Sequence, residues 1–225
     1  MTDAELDELL SDCPTLFHMA EKESWPPIRD TGLWSTSALL DRFEKSSEER
    51  IAVEARRRPR GVTLEHPLHG RAVIRDNKPM NDRSLERCLE DGLRPEDWYR
   101  ILNARVFFWL SRKRLLTLLA ARSYAETEHD VLEIEARPLV EAYRRQITLS
   151  PINSGATSRF PVKRGLTTFL PLSDYPYAEW RRKRARGERA VELAVSGGVS
   201  DIARFTRRVV RMKGDRVVGT LFQSP

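Results

Sequence analysis

The spacing of apolar positions along the chain switches repeatedly between a pattern typical of helices and one typical of strands. Over residues 2–12 the apolar side chains follow helical spacing, with Thr2 or Asp3 as the cap, and Pro14 ends the segment. Helical spacing also predicts helices at 25–32, 35–59 with a break near Ser46 and Ser47, 81–91, 95–104, 112–123 and 138–145. Alternation and short apolar runs predict strands at 15–20, 105–111, 130–136, 146–150, 189–195, 204–212 and 216–222.

Helices and strands alternate without internal repeats, which predicts an α+β fold with a mixed or antiparallel sheet. We expect a single domain over 1–225, with a mainly helical insertion at about 44–104. Residues 151–167 are rich in Pro, Gly, Ser and Asn, so this segment is predicted to be a loop.

Composition narrows the class of protein. The chain has 225 residues, 40% of them hydrophobic, so it can bury the core of a globular domain. Nothing approaches the roughly 18 consecutive apolar residues of a membrane helix, and the acidic, amphipathic N-terminus does not resemble a signal peptide. We therefore expect a cytoplasmic protein without membrane contact. Cys13 and Cys88 are expected to be reduced thiols, and His66 and His69 lack companion metal ligands, so no metal site is expected.

Positive charge is concentrated in runs. The 39 Lys and Arg residues exceed the 33 Asp and Glu residues, giving a formal charge of +6, and much of the excess lies in 54–61, 179–189 and 204–216. Such runs are either solvated faces or surfaces that contact phosphates. Because the second run leads directly into a predicted strand, we expect it to bind a polyanionic substrate through Arg181, Arg182, Lys183, Arg184 and Arg186.

Several common catalytic motifs are missing from the sequence. It contains no G-x-x-x-x-G-K-[ST] loop, no G-x-G-x-x-G after a strand and no G-x-S-x-G turn. A P-loop enzyme, an ordinary dinucleotide-binding dehydrogenase and an α/β-hydrolase are therefore disfavoured.

The strand predicted at 189–195 carries one carboxylate between small residues. Period-two alternation places Val191 and Leu193 on one face and Glu192 on the other, beside Ala190 and Ala194. If the valine face is the core, Glu192 either meets solvent or lines a cleft with room for a ligand.

Three segments, in this order, resemble the motifs of the diphtheria-toxin-like ADP-ribosyltransferase fold, especially its DNA-targeting toxin branch. They are "LFHM…WPPIRDTGL.STS", "RVFFWLSRKRLLTLLAA" and "RAVELAVSGGVSDIARFTRRVV". The full chain also resembles a bacterial family of stand-alone proteins of this size. The sequence departs from the pattern where Met-Ala follows His18, and where Phe107, Phe108 and Trp109 replace an expected tyrosine.

The resemblance implies an NAD-dependent mono-ADP-ribosyltransferase-like enzyme with NAD as co-substrate. Glu192 would be the catalytic residue, since a fixed carboxylate stabilises the positive charge that develops on the ribose when its bond to nicotinamide breaks. His18 would fix the dinucleotide by hydrogen bonding. The ring of Phe108 or Trp109 would stack on nicotinamide.

Other residue types suit the remaining parts of such a site. Ser35 and Ser37 offer hydroxyls to ribose or pyrophosphate, and Arg71 and Arg75 are expected to converge on the pyrophosphate. Beside Gly155, the loop donors expected to contact the acceptor are Asn153, Ser154 and Thr157.

Nucleic acid, preferably single-stranded, is the acceptor that the arginine run favours, because a base must be unstacked to present its ring atoms. Two alternatives stay open. One is an enzyme like the NAD-dependent RNA 2′-phosphotransferases, which would need a second basic pocket. The other is a basic nucleic-acid-binding protein without catalytic activity. The sequence does not indicate an oligomeric state.

Overall fold

In the computed structural model, which describes residues 1–157 and 161–224, eight of the twelve strands form one large sheet. In chain order the strands are β1 (Thr15–Glu21), β2 (Leu33–Trp34), β3 (Val62–His66), β4 (Gly70–Ile74), β5 (Arg105–Trp109), β6 (Glu128–Glu135), β7 (Ile147–Ser150), β8 (Leu170–Pro171), β9 (Glu192–Ser196), β10 (Gly198–Val199), β11 (Thr206–Lys213) and β12 (Arg216–Gln223). The large sheet has the order β12-β11-β6-β1-β5-β9-β7-β8, while β2 pairs with β10 and β3 pairs with β4.

The helices surround this sheet. They are α1 (Asp3–Asp12), α2 (Trp25–Thr31), α3 (Thr36–Arg42), α4 (Ser47–Glu54), α5 (Asp82–Glu86), α6 (Pro95–Asn103), α7 (Arg112–Leu119), α8 (Ala136–Tyr143) and α9 (Tyr177–Lys183). Local sequence explains several boundaries. Thr2 caps α1 by accepting a hydrogen bond from the Glu5 N–H, and Ser46 caps α4 at the predicted break.

The predicted α+β fold is confirmed, and the ladders between the described strands are antiparallel. Helices α4 and α7 end earlier than predicted, at Glu54 and Leu119, and so does α5, which ends at Glu86. The chain after it turns to form a parallel bridge between Leu89 and Arg164. The Arg164 N–H donates to the Cys88 carbonyl at 2.9 Å, so these long-range backbone bonds replace the last helical turn.

The main core lies between one face of the sheet and helices α1 and α8. Its buried members include Leu9, Leu16, Phe108, Leu139, Leu193 and Val209. Helix α7 covers part of the opposite face, where Phe17, Met19 and Val210 are buried. Both faces of β9 are covered, because Ala194 packs on that opposite face with Trp98 and Phe169.

The large sheet is split in its middle. Strands β1 and β5 share a single residue pair, Phe17 opposite Trp109. In contrast, β1 pairs with β6 along all seven of its residues, and β5 pairs with β9 along five. Beyond the Phe17–Trp109 pair the two halves diverge, and a cleft opens between β1 and β5.

The segment at about 44–104 contains α4, α5, α6 and the hairpin formed by β3 and β4. Leu64 and Ile74 of the hairpin pack against Leu40 and Phe43 at the C-terminal part of α3. This hairpin therefore adds a β element to the predicted helical insertion, and it forms one wall of the cleft.

Candidate functional site

The cleft between the two halves of the sheet has a volume of about 1150 Å³. Its walls come from β1, β5, β9, the β3–β4 hairpin and the loop that contains Ser154. The cavity lies where a single residue pair joins β1 to β5.

Glu192 begins β9 and lies in the wall of the cleft with only 4% of its surface exposed. The Ser154 N–H donates to both carboxylate oxygens at 3.2 Å. Burial raises the pKa of Glu192 to about 7, while the hydrogen bonds from Ser154 and the charge of Arg164 act in the opposite direction. The sequence left solvent and cleft as alternatives for this carboxylate, and the structure places it in the cleft.

Arg164 supports this carboxylate indirectly and carries no signal in the sequence, since it lies in an irregular loop. It is 1% exposed, and its Nη1 donates to the Ser154 carbonyl at 2.8 Å while Nη2 donates to the Ala156 carbonyl at 3.1 Å. Burial lowers the pKa of Arg164, with the Cys88 thiol and the Glu192 charge opposing that effect. The guanidinium thus holds the loop whose backbone N–H contacts Glu192.

His18 lies in the middle of β1 and faces the cleft on the other side of the split. Its Nδ1 lies 2.9 Å from the Phe107 carbonyl, which can only accept, so Nδ1 carries the proton. Burial lowers the pKa of His18 to about 4, opposed by that hydrogen bond and reinforced by the charge of Arg75. The ring is therefore neutral near pH 7, and its Nε2 is an acceptor.

The two aromatic candidates on β5 point to opposite faces. Trp109 pairs with Glu192 across the β5–β9 ladder, so the two side chains share a face. Phe108 pairs with Leu193, is 1% exposed and packs in the main core. Of the two rings predicted to stack on nicotinamide, Trp109 has the better position. Phe108 is a core residue that approaches the cleft beside His18, with ring centroids 5.7 Å apart.

The two serines after Gly32 have different environments. Gly32 ends α2 with a φ of +100°, and an added Cβ would lie 2.8 Å from the Ser200 backbone, so glycine is required there. Ser35 lines the cleft and caps α3 by accepting from the Ala38 N–H at 3.2 Å. Ser37 instead donates to Glu54 and is not part of the cleft wall, which corrects its assignment as a cofactor-binding residue.

The two hairpin arginines, predicted to converge on the pyrophosphate, both line the cleft but have different environments. Arg71 is exposed on β4, where its register partner is Glu65. Arg75 lies just beyond β4, and its Nη1 donates to the Met19 carbonyl at 3.2 Å. Nε and Nη2 of Arg75 are buried without a hydrogen-bond partner in the part of the chain that the structure describes. Arg105 and Arg114, which also line the cleft, each have one such nitrogen, and the Nε of Arg75 lies 3.9 Å from the Glu21 carboxylate.

The three loop residues predicted to contact the acceptor also have different environments. Asn153 is exposed at the cleft, and Ser154 contacts Glu192. Thr157 is buried, and its hydroxyl accepts from the Asn81 N–H at 2.8 Å and donates to the Asn81 carbonyl at 3.2 Å. Thr157 therefore holds the loop in place rather than offering a donor to substrate. Residues 158–160 of the predicted loop lie outside the described residues.

The arginine run around the end of α9 contacts α1. Arg181 lies 2.6 Å from Glu8, and Arg186 lies 2.6 Å from Asp12. Arg184 donates to the Pro151 carbonyl at 2.7 Å, and its guanidinium lies 4.2 Å from the centre of the Trp180 ring.

The other two cations of the run are exposed. Lys183 lies 3.6 Å from Glu179, while Arg182 has no ion pair with any described residue. None of the five predicted contact residues belongs to the described wall of the cleft. The expectation that this run carries a polyanion to Glu192 is corrected, because protein groups already occupy most of its charges.

Within 1–157 and 161–224, no group of three or more His, Cys, Asp or Glu side chains is arranged to hold a metal ion. No helix in this described part combines the length and apolar character needed to cross a membrane. Cys13 and Cys88 are free and buried.

Comparison with known proteins places the chain in a family. No curated protein matches it. The family model described as "Family of unknown function (DUF7002)" matches residues 14–206, a range that includes both His18 and Glu192. Since this match covers most of the chain, the protein belongs to the family of unknown function DUF7002.

Proposed function

We propose that this protein is an NAD-dependent mono-ADP-ribosyltransferase with Glu192 at the reacting centre. One observation carries the proposal: a buried carboxylate and a neutral histidine line the same cleft from the two sides of a split sheet. These are the two residues that the resemblance to ADP-ribosyltransferases assigns to catalysis and to dinucleotide binding.

The reaction breaks the bond between nicotinamide N1 and ribose C1′, and the electron pair of that bond leaves with nicotinamide. A new bond forms between C1′ and the acceptor atom, which releases its proton to solvent. Positive charge develops on the ribose between these events, and the ionised carboxylate of Glu192 stabilises it. The low exposure of Glu192 strengthens this interaction, because a buried site has a low effective dielectric constant.

The described residues suit a dinucleotide in other respects. A volume of about 1150 Å³ exceeds the usual range of small-molecule sites, roughly 300–1,000 Å³. The free Nε2 of His18 accepts a hydrogen bond from a ribose hydroxyl, and the unpartnered nitrogens of Arg75 suit the pyrophosphate. Trp109 shares a face with Glu192 and offers a ring to nicotinamide. We place this activity in the cytoplasm.

The direct test measures NAD binding by calorimetry and then transfer from labelled NAD to DNA, RNA or proteins of a cell lysate. Glu192→Gln keeps the shape of the side chain and removes its charge, so NAD binding should persist while labelling falls by about 100-fold or more. Glu179→Gln, on the exposed side of α9, is the charge-matched control and should label normally. Absence of NAD binding by the wild type, or normal labelling by Glu192→Gln, contradicts the proposal.

The pH dependence provides an independent test. Since the pKa of Glu192 is about 7 and the ionised form is required, kcat/KM should rise about tenfold per pH unit below pH 7 and level off above it. His18 has a pKa of about 4 and stays neutral over this range. The profile is measured with labelled NAD between pH 5.5 and 8.5. A rate that is independent of pH over this range would remove the assigned role of Glu192.

A further inference from the structure

One end of the cleft, here called the outer arm, is formed by Trp34, Arg42, Phe43, His69 and Arg71. Trp34 pairs with Gly198 just after β9, next to the point where Arg105 pairs with Ser196. Glu192 lies at the opposite end of the same ladder, four residues along β5, which corresponds to roughly 14 Å. The outer arm is therefore a separate region of the same cleft.

Among the residues that the structure describes, the cations of the outer arm have no carboxylate partner. Neither Arg42 nor Arg71 forms an ion pair with any residue in the described part of the chain. Glu65 is the register partner of Arg71 on β3, but the two do not come within ion-pair distance. Arg42 lies over the Trp34 ring, 4.7 Å from its centre, so the aromatic face orients the guanidinium while its hydrogen-bond donors stay available.

Planar rings lie next to these cations. His66 and His69 stack with their centroids 4.8 Å apart, and Phe43 packs at 5.9 Å from His69. Both histidines are partly exposed. Rings beside unpaired arginines are the features that proteins use to hold single-stranded nucleic acid, with the rings stacking on bases and the guanidinium groups contacting phosphates.

We propose that the outer arm binds single-stranded nucleic acid, with Arg42 and Arg71 on its phosphates and His69, which stacks on His66, against a base. A single strand fits because its bases are free to enter a cleft, whereas a duplex keeps them paired and stacked. Binding to the outer arm does not depend on catalysis. If the proposed function holds, the bound strand is the acceptor, with its path toward Glu192 set by the cleft.

The test measures the binding of a fluorescent mixed-sequence 12-nucleotide DNA or RNA, without NAD, by anisotropy over a range of NaCl concentrations. Arg42→Gln combined with Arg71→Gln should weaken binding roughly tenfold at low salt and reduce the slope of log K against log[salt] by about 1.4, since each phosphate contact on a single strand contributes about 0.7. The matched control, Arg181→Gln combined with Arg182→Gln, removes the same charge from α9 and should leave affinity and slope near wild type.

A second variant separates stacking from charge. His69→Ala should weaken binding about fivefold without changing the salt slope. Unchanged thermal unfolding of each variant excludes a folding defect. The proposal is overturned if the wild type does not bind the oligonucleotide, if the control loses as much affinity as the test pair, or if a duplex or an acidic peptide competes as well as the single strand. If the wild-type protein binds the oligonucleotide but not NAD, the proposed function is overturned while the proposal for the outer arm stands.

Discussion

Charged side chains have different environments in two regions of the molecule, the interface between α1 and α9 and the cleft. At the interface, Arg181 and Arg186 lie beside Glu8 and Asp12 of α1, so each positive group has a protein partner. In the cleft, Nε and Nη2 of Arg75 are buried without a hydrogen-bond partner among the described residues, although Glu21 lies 3.9 Å from Nε, and burial raises the pKa of Glu192. We infer that the charged groups at the interface stabilise the fold, whereas those in the cleft lower its stability and are available to a ligand.

The largest effect expected from this contrast is a gain of stability on neutralising Glu192. Burial raises its pKa from 4.5 to about 7, so the folded protein holds a proton that the unfolded chain releases between those values. Stability from this group is thus full below pH 4.5 and is lost as pH rises through 7. Glu192→Gln should therefore be more stable than wild type by roughly 3 kcal/mol at pH 8, with little difference at pH 4.5.

Urea unfolding of both proteins at the two pH values measures this difference. Burial also lowers the pKa of His18 and of His129 to about 4, and taking the difference in stability between variant and wild type removes the contribution of these histidines, because the substitution does not change them. If Glu192→Gln is no more stable than wild type at pH 8, the ionised carboxylate does not reduce stability. The difference between the cleft and the interface of α1 with α9 would then not hold.

The next effect, of opposite sign, is expected at the interface. Arg189 pairs with Glu8, lies 3.4 Å from Asp12 and donates to the Tyr177 hydroxyl at 2.9 Å, with only 10% of its side chain exposed. Arg189→Met should destabilise the fold by about 2 kcal/mol. This is less than the 3–5 kcal/mol typical of breaking a buried pair, because the carboxylates keep other partners. Thermal or urea unfolding measures it.

Adding Asp12→Asn to Arg189→Met gives the matched double variant. It removes one of the two carboxylates that face the missing guanidinium, so part of the loss should be recovered. If the single variant is as stable as wild type, the interface charges do not stabilise the fold, and the two regions are equivalent in this respect.

The smallest effect on stability is expected at Arg75. Arg75→Met keeps the packing against Tyr124 and removes two buried nitrogens that lack a hydrogen-bond partner, while it loses the bond to Met19 and the long contact with Glu21, so stability should stay within about 1 kcal/mol of wild type. NAD binding, measured by calorimetry, should weaken roughly tenfold, since a charge-assisted contact is lost. Arg75→Lys restores the charge and should recover part of the affinity. Unaltered binding by Arg75→Met would place the pyrophosphate elsewhere.

Local patterns in the sequence were sufficient for most elements of the fold. Alternation around Glu192 and capping by Ser46 depend on neighbouring residues, so the strand and the helix break could be predicted without knowing the rest of the molecule. Because Ala190 and Ala194 flank Glu192, the sequence limited the environment of its side chain to two alternatives, solvent or a cleft.

The remaining parts of the site depend on contacts between distant residues. Arg164 holds the carbonyls of a loop about ten residues away, and no spacing marks it as buried. The acceptors of the α9 arginines lie on α1, more than 170 positions away in the case of Arg186 and Asp12. The sequence offered one indication of this contact, because the acidic side chains of α1 are opposite in charge to the basic run at 179–189.

The single pair between β1 and β5 has a mechanical consequence. Because the ladder between β1 and β5 consists of the Phe17–Trp109 pair, with the bond from His18 to the Phe107 carbonyl beside it, we expect this junction to open more easily than the neighbouring ladders. A molecule bound in the cleft would touch both halves and act as a brace. Amide hydrogen exchange in β1 and β5 should therefore slow when NAD is added. We therefore expect the sheet to be stiffer in the complex than in the free protein, because the pairing between β1 and β5 is shorter than the pairing of either strand with its other neighbour.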